Sequence, residues 1–394
     1  MIAEITTRTS QAMCGAIGFP DRPRVLVAED HDDVLAAIGL LLRSNSYEVE
    51  FVKSPTEVRI ALSTRRFDAV LLDLNYSRDT TSGAEGLELL SRVQALDPTL
   101  AVVAMTAWAT IELAVNAMRH GACEFVQKPW DNSHLLEILS KQVRRTRELR
   151  CKRLNEQLEQ QEAAEIQRGL LPSQIAAPDG LTIAASTQSA RTVGGDYYDV
   201  IRIGERRVAI CIADVMGKGV GAALLMSNLQ AAVRLLAPQI AEPREICNHI
   251  NRMISANNIP GRFITFLYCL LDLEQMRITY TNAGHNWPVL AQRNGQCARL
   301  STKDAVLGTV PRWNYHQQET ELRSGDRLVL FTDGVTECND QTGIEFGEEQ
   351  LTGLVSRNVH LEPNELKGLV IASATAHAGG TIADDATLIV AGVR

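Results

Sequence analysis

Between residues 24 and about 145, five short apolar runs alternate with stretches that repeat apolar residues at helical spacing. The apolar runs read RVLVAED, YEVEFV, AVLLDLN, LAVVAMTA and CEFVQKP. Strands that alternate with helices are joined by crossovers, which place the helices on both faces of a parallel sheet. The pattern therefore predicts an α/β domain with a doubly wound sheet of five βα units.

Polar residues stand at the ends of four of these predicted strands. They are Glu29 and Asp30 after the first strand, Asp73 at the third, Thr106 at the fourth and Lys128 at the fifth. The carboxyl ends of such strands meet at one edge of the sheet, where doubly wound folds bind ligands. Three carboxylates there repel each other unless a divalent cation with oxygen ligands, here Mg²⁺, is bound. Together with a lysine that attracts an anion, they predict phosphoryl transfer onto Asp73.

This arrangement resembles the receiver domain of two-component response regulators, with all five signature positions filled in order. The resemblance implies that Asp73 is the phosphoacceptor for a cognate histidine kinase, that Thr106 is the switch hydroxyl and that Phe125 reorients with it. The implied Mg²⁺ ligands are Glu29, Asp30, Asp73 and the backbone carbonyl of Asn75. The stretch LNYSRDTTSGAEGLELL after Asp73 is longer than the usual turn of the family.

Residues 135–171 predict a long connecting helix, because residues 135–168 contain neither glycine nor proline and are rich in charge. Leu149, Leu154 and Leu158 suggest an apolar seam. The seam is consistent either with a two-stranded coiled coil, and hence a homodimer, or with a single solvated helix.

From about residue 175 to residue 393 the pattern changes to short β-rich runs, interrupted by two helical blocks. This change predicts a second domain built from a sandwich of sheets covered by helices. A chain of 394 residues is also long for a single core. The predicted divisions are a flexible leader at 1–23, a receiver domain at 24–145, a helical linker at 146–174 and a second domain at 175–394.

Acidic residues stand at strand ends in the second domain, each beside glycine or a small residue. They are Asp196 after two glycines, Asp214 after VAICIA, Asp333 in FTDG, and Asp384 and Asp385 before the strand ATLIVAGV. Carboxylates that converge in this way repel each other, and two bridged divalent cations would relieve the repulsion. Such ions polarise a phosphoryl oxygen and lower the pKa of a bound water. Because no cysteine or histidine accompanies these acids, Mg²⁺ or Mn²⁺ is expected rather than zinc.

The motifs VGGDYYDV, ADVMGKGVGAALLM, NAGHNWP, TDGVTE and DDATL resemble those of the PPM (PP2C-like) serine/threonine phosphatases. More narrowly they resemble the bacterial branch that acts on regulators of sigma factors or stress responses. The resemblance implies an α/β/β/α sandwich and a phosphorylated regulatory protein, such as an anti-sigma-factor antagonist, as substrate. The implied roles are Asp214 as the bridge between two metals, the Val215 carbonyl beside it, Asp196 at one metal, Asp333 and Asp384 at the other, and Asp385 as an outer acid.

Three further polar residues near these motifs leave two interpretations open. Arg191 could bind a substrate phosphate through a bidentate contact, or be an exposed loop arginine. His285 could donate a proton to a leaving oxygen or hydrogen-bond its own loop. Lys218 in MGKG is interpreted as structural or solvated, with attraction of a phosphate as the alternative. Nucleotide binding by this motif is not expected, because Gly219 stands where a phosphate-binding loop requires serine or threonine.

Composition excludes other classes of protein. A net charge of −8 and the lack of a basic reading helix argue against nucleic-acid binding. No apolar run approaches the length of a membrane span, and Cys123, Cys211 and Cys269 lie in apolar runs typical of reduced thiols in the cytoplasm. We therefore predict a response regulator with a metal-dependent phosphatase output. The alternative is an adaptor that has lost its metals, and the presence of every expected acid argues against it.

Overall fold

The computed structural model describes residues 19–75, 84–107, 110–190, 192–256, 261–301 and 304–394. The chain forms two compact units, Met1–Leu158 and Glu159–Arg394. Most of the predicted leader, residues 76–83 of the long stretch after Asp73, and Arg191 lie outside the described residues. In the described part of the chain, no helix combines the length and the apolar character that crossing a lipid bilayer requires.

The first unit is a parallel five-stranded sheet with the strand order β2-β1-β3-β4-β5. Its strands are β1 Arg24–Ala28, β2 Glu48–Val52, β3 Ala69–Asp73, β4 Ala101–Thr106 and β5 Glu124–Gln127. Its first four helices are α1 Asp32–Ser44, α2 Pro55–Thr64, α3 Ala84–Leu96 and α4 Ile111–Arg119. Every residue of β3 and β4 is buried, as expected for strands covered by helices on both faces. The predicted doubly wound sheet is confirmed.

Helix α5, Asn132–Leu170, is a single helix of 39 residues that begins three positions before the predicted start. Its first part belongs to the first unit and its last part to the second. The predicted boundary between receiver and linker, at residues 145 and 146, falls inside this helix. Leu149 and Leu158 of the predicted seam are 38% and 53% exposed.

The second unit contains two antiparallel five-stranded sheets. One has the order β13-β10-β9-β8-β7 and the other β12-β11-β14-β15-β6. The strands are β6 Leu181–Gln188, β7 Tyr197–Arg202, β8 Arg207–Val215, β9 Ile264–Asp272, β10 Arg277–Ala283, β11 Val289–Ala291, β12 Cys297–Arg299, β13 Gln318–Glu321, β14 Arg327–Phe331 and β15 Ala386–Val393. The helices are α6 Val220–Leu236, α7 Pro243–Ala256, α8 Asp333–Thr336, α9 Gly347–Arg357 and α10 Pro363–His377.

Alternate residues along the strands divide the core of this unit into layers. Ile210 and Leu267 of the first sheet share a buried cluster with Leu330 and Ile389 of the second, so the two inner faces pack together. The outer face of the first sheet packs against α6 and α7, and that of the second against α9 and α10. The predicted α/β/β/α sandwich is confirmed. Cys211 and Cys269 are buried free thiols in this core, and Cys123 of the first unit is also free.

The registers of the strands gather the acidic motifs at one end of the sandwich. Tyr197 pairs with Ala213, so the start of β7 lies beside the end of β8. Phe331 pairs with Leu388, so the end of β14 lies beside the start of β15. These four strand ends carry the acids that the sequence singled out.

Candidate phosphoacceptor and metal sites

Asp73 is a buried carboxylate at the end of β3 in the first unit. Lys128 Nζ lies 2.8 Å from its Oδ2, and the backbone N–H of Asn75 donates to its Oδ1 at 3.2 Å. Burial raises the pKa of Asp73, while the lysine and this N–H oppose the shift by stabilising the charged form. The site therefore holds a buried oxygen nucleophile next to a fixed positive charge.

The predicted metal-binding acids of the first unit form a compact group with Asp73. One ligand atom from each of Glu29, Asp30, His31 and Asp73 lies within 4.8 Å of the others. His31 Nδ1 is 3.0 Å from Glu29 Oε1 and 2.8 Å from Asp30 Oδ1, and these carboxylates raise the pKa of His31. Lys128 also contacts Glu29. The carboxylate oxygens fit Mg²⁺, whereas the participation of His31 was not predicted.

The predicted switch residues lie on the neighbouring strands β4 and β5. Thr106 is fully buried, and its Oγ1 accepts a hydrogen bond from Asn75 Nδ2 at 3.4 Å. Phe125 is half-buried and packs against the core of the first unit. Thr106 ends β4 at the carboxyl edge of the sheet, whereas Phe125 is the second residue of β5 and pairs with Ala104. Their switching role stays a prediction.

Asp196 is a buried acid of the second site, with 6% of its surface exposed. Its Oδ2 accepts hydrogen bonds from the hydroxyls of Thr332, at 2.8 Å, and Thr387, at 2.6 Å. Its Oδ1 is buried and has no hydrogen-bond partner among the described residues. Burial raises the pKa of this carboxyl well above its ordinary value. An unpaired buried oxygen of this kind fits a cation, since a buried polar atom otherwise lacks compensation.

Asp214 is the half-buried, next-to-last residue of β8 and lies close enough to other acids to feel their charge. Burial raises its pKa to about 7, and the negative charges of Asp333, Asp384 and Asp385 add to the shift. The pKa of Asp333 is raised by burial and then by Asp384. The four strand ends therefore bring these acids near enough to repel each other, which is the electrostatic setting that divalent cations relieve.

Lys218 compensates part of this negative charge. Its Nζ lies 2.8 Å from Asp384 Oδ1, so the lysine interpreted from the sequence as structural or solvated forms an ion pair at the acid cluster. Within the described ranges, these acids do not form a compact group like that of the first unit. The ligand roles of Asp196, Asp214, Val215, Asp333 and Asp384 stay predictions.

Asp385 supports the loop that precedes Asp196. Its Oδ1 accepts the N–H of Ala190 at 2.8 Å, and its Oδ2 accepts the N–H of Gly195 at 2.7 Å. A Cβ atom on Gly194 would lie 2.5 Å from Asp385 Oδ2, too close for any side chain. The two glycines before Asp196 therefore let this carboxylate approach the backbone. These contacts agree with the predicted role of Asp385 as an acid that supports the metal ligands from behind them.

Gly334, in the TDG motif, is required for a similar close approach. A Cβ atom there would lie 2.0 Å from the carbonyl oxygen of Asp385. We expect Gly334→Ala to displace the Asp384–Asp385 loop and to weaken Mn²⁺ binding by about tenfold or more, as loss of outer support does at metal sites. Overpacking should also lower the free energy of unfolding by about 1–3 kcal/mol. Titration calorimetry and thermal unfolding measure these two effects.

The matched control is Gly368→Ala in helix α10, where a Cβ atom would meet nothing within 4 Å. This control should bind Mn²⁺ like the parent protein and be as stable or slightly more stable. Wild-type Mn²⁺ affinity in Gly334→Ala would contradict the proposed packing role of Gly334.

His285 is buried beneath the site with both ring nitrogens engaged. Its Nε2 is 3.1 Å from the carbonyl oxygen of Phe331, so Nε2 carries the proton, and Nδ1 accepts from the Thr265 hydroxyl at 2.8 Å. Burial lowers the pKa of His285 to about 4, so the ring is neutral. This geometry favours the loop-supporting interpretation over proton donation. Arg191, the predicted phosphate ligand, lies outside the described residues.

Several site residues were not found by sequence reasoning. Thr332 and Thr387 hold Asp196, His31 joins the acids of the first unit, and Gln167 contacts the loop before Asp196. Thr332, Thr387 and His31 carried a signal, because each adjoins or nearly adjoins a predicted acid, whereas Gln167 does not.

Both units match known families. Residues 25–140 match the response regulator receiver domain, and residues 204–394 match stage II sporulation protein E (SpoIIE). The phosphoserine phosphatase RsbU of Bacillus subtilis is 32% identical over 229 residues, covering 58% of this chain and 68% of RsbU.

Two solved structures share the fold. The RsbU and RsbW domains of Rv1364c from Mycobacterium tuberculosis match with a TM-score of 0.51 and 23% identity, over 57% of this chain and 63% of that one. The SiaA-PP2C domain of Pseudomonas aeruginosa matches with a TM-score of 0.54 and 17% identity, over 62% of this chain and 98% of that one. At these identities the two structures support the fold alone.

These matches confirm the predicted architecture and the predicted enzyme class, a metal-dependent serine/threonine phosphatase. The chain belongs to the PP2C-like phosphatase family of RsbU and SpoIIE, with a response-regulator receiver domain preceding the phosphatase domain.

Proposed function

We propose that the second unit hydrolyses phosphoserine or phosphothreonine on a regulatory protein, and that phosphorylation of Asp73 in the receiver controls this activity. The observation that carries the proposal is the convergence of Asp196, Asp214, Asp333 and Asp384 at one end of the sandwich, where burial and mutual repulsion raise the pKa of Asp214 to about 7. The name of the relative RsbU, a phosphoserine phosphatase, supports the substrate class.

The carboxylates of the second unit would together bind two Mg²⁺ or Mn²⁺ ions. Asp214 would bridge the ions with the Val215 carbonyl beside it, Asp196 would serve one ion, and Asp333 and Asp384 the other. The bound ions would supply an activated water and neutralise charge on the phosphoryl group. Thr332 and Thr387 hold the carboxylate of Asp196 in one orientation through its Oδ2. Binding of a metal ion to the unpaired Oδ1 would therefore cost little additional side-chain entropy.

In the receiver, Asp73 would accept a phosphoryl group from a histidine kinase. Glu29, Asp30, Asp73 and the carbonyl of Asn75 would hold the Mg²⁺, and Lys128 would pair with the transferred phosphoryl oxygens as it now pairs with Asp73. Phosphorylation adds negative charge at this edge, to which Thr106 and Phe125 would respond. Helix α5, which contributes residues to both units, would carry the change to the phosphatase.

An anti-sigma-factor antagonist is the proposed class of partner. RsbU is similar to this chain over its phosphatase part, and the similar mycobacterial structure contains an RsbU and an RsbW domain. The proposed homodimer would form through α5, where Leu149 and Leu158 of the predicted seam are exposed and available for contact with a second copy.

The test is phosphate release from a phosphoserine peptide by the full-length protein with Mn²⁺, with and without beryllofluoride as an aspartyl-phosphate mimic. We expect release that a chelator abolishes and that beryllofluoride changes by about fivefold or more, the range of typical couplings between sites. The chain without Mn²⁺ is the control. Bound Mn²⁺ with no hydrolysis in either state would refute the phosphatase activity, and equal rates in both states would refute control by the receiver.

A further inference from the structure

The last turns of helix α5 are joined to the loop that precedes Asp196 by one buried side chain. Gln167 is 8% exposed, and its Nε2 donates to the carbonyl oxygen of Gly194 at 2.6 Å. Its Oε1 accepts the N–H of the same glycine at 3.0 Å. The side-chain amide therefore pairs with both polar groups of one backbone residue, as a neighbouring strand would.

The same end of the helix also contacts the element that follows Asp214. Ala164 shares a small buried cluster with Val193, from the loop, and Ala223, from the first turn of α6. Gln230 of α6 donates from Nε2 to the carbonyl oxygen of Leu170, the last residue of α5, at 3.2 Å. The end of helix α5 thus contacts the loop that leads into Asp196 and the helix α6 that follows Asp214.

From Gly194 the contacts continue to the acids. The next N–H, that of Gly195, donates to Asp385 Oδ2, and Asp196 follows directly in the chain. Gly194 is itself so close to Asp385 that a single carbon atom would not fit between them. A displacement of the loop at Gly194 therefore moves Asp196 and disturbs the hydrogen bonds that hold the Asp384–Asp385 segment.

We propose that Gln167 is a positioning residue, through which the end of helix α5 sets the placement of the Gly194–Asp196 loop and thereby the affinity of the phosphatase site for its metal ions. The inference rests on the proposed function and adds the specific contact through which the helix acts. Two hydrogen bonds to one residue depend on both distance and direction, so a rotation or sliding of the helix end breaks them together. A loose apolar contact would tolerate such a movement.

The variant Gln167→Met tests this role, because methionine keeps the length and most of the packing of glutamine but makes neither hydrogen bond. Gln161→Met is the matched control, since Gln161 is an exposed residue of the same type on the same helix. Hydrogen exchange of the Gly194 amide and the Mn²⁺ affinity by titration calorimetry are measured on the full-length protein. We expect Gln167→Met to speed exchange at Gly194 and to weaken Mn²⁺ binding, each by about tenfold or more, with no change in Gln161→Met.

Unchanged Mn²⁺ affinity in Gln167→Met would overturn the proposal, whatever the exchange rate, because the contact would then be structural only. Loss of amide protection throughout β8 and β15 would also overturn it, since Gln167 would be a general stabiliser. A failure of the wild-type protein to bind Mn²⁺ would instead refute the proposed metal site. The exchange at Gly194 would then still decide whether Gln167 holds the loop.

Discussion

Asp214→Asn should abolish Mn²⁺-dependent phosphate release by the phosphatase unit. The change removes a carboxylate whose pKa is raised by the charges of nearby acids, while an amide of the same shape preserves the packing at the end of β8. Loss of outer-shell support alone typically costs 10–100-fold, so loss of a bridging ligand should reduce activity by more than about a thousandfold. Phosphate release and Mn²⁺ titration on the purified variant measure both effects.

The pH dependence of metal binding provides a second check on the same carboxylate. With its pKa raised from 3.8 to about 7, Asp214 keeps its proton near neutrality in the metal-free protein and must release it to bind a cation. The apparent Mn²⁺ affinity should therefore rise by about tenfold per pH unit below pH 7 and level off above it. In Asp214→Asn the part of this dependence that comes from Asp214 should be lost, so the rise in affinity per pH unit should become smaller.

The stability of the metal-free protein should fall as the pH rises, whereas its Mn²⁺ affinity increases. A carboxyl group whose pKa is raised by folding binds its proton more tightly in the folded state, so its contribution is greatest below 3.8 and is lost as the pH rises towards 7. Thermal unfolding of the chelated protein should thus occur at lower temperature at pH 7 than at pH 5. Asp179→Asn, at an exposed turn, should leave phosphate release, metal binding and both pH profiles unchanged. Wild-type activity in Asp214→Asn would exclude this residue as a ligand.

Asp73→Asn is expected to eliminate phosphorylation of the receiver. The carboxylate oxygen that would attack the phosphorus is lost, and an amide is a poor nucleophile for this reaction. Lys128 would also lose a charged oxygen partner at 2.8 Å, while its contact with Glu29 remains. Incorporation of phosphate from acetyl phosphate, with Mg²⁺ present, should therefore fall from near stoichiometric to undetectable.

Asp73→Asn should also abolish regulation of the phosphatase by the receiver, but it should leave the basal rate of hydrolysis unchanged. Asp73→Asn should release phosphate from a phosphoserine peptide at the unphosphorylated rate and should not respond to beryllofluoride. Asp33→Asn, an exposed aspartate in the first turn of α1, tests whether any acid near this edge accepts phosphate. Phosphate incorporation in Asp73→Asn equal to that of Asp33→Asn would place the phosphoacceptor elsewhere.

Local patterns were sufficient to predict the five parallel strands and the sandwich. The short apolar runs, and the polar residue that follows each of them, depend on sequence neighbours only, as for Asp73 after AVLL and Asp214 after VAICIA. The structure begins α5 at Asn132, three residues before the predicted start, because Asp131 caps the helix by accepting the N–H of His134 at 2.9 Å. The prediction followed the run of helix formers from Leu135 and overlooked this capping residue.

The supporting contacts could not be predicted, because they join residues far apart in the chain. Thr387 reaches Asp196 across 191 positions, and Lys128 reaches Asp73 across 55. Glutamine at position 167 has no local feature that separates it from the exposed Gln161. Which of the two is buried depends on where the helix meets the sandwich.

The sequence by itself thus determined which residue types stand at each strand end. Those residues were sufficient to identify the two families and the kind of cation that the acids would bind. Only the tertiary structure decided which oxygens already have partners. Asp385 accepts hydrogen bonds from backbone amides, and Asp384 forms an ion pair with Lys218. One oxygen of Asp196 accepts hydrogen bonds from two threonines, while its other oxygen is unpaired among the described residues. The reason is physical: hydrogen bonds and ion pairs form between atoms a few ångströms apart in space, and that proximity depends on strand register and sheet packing rather than on neighbours in the chain.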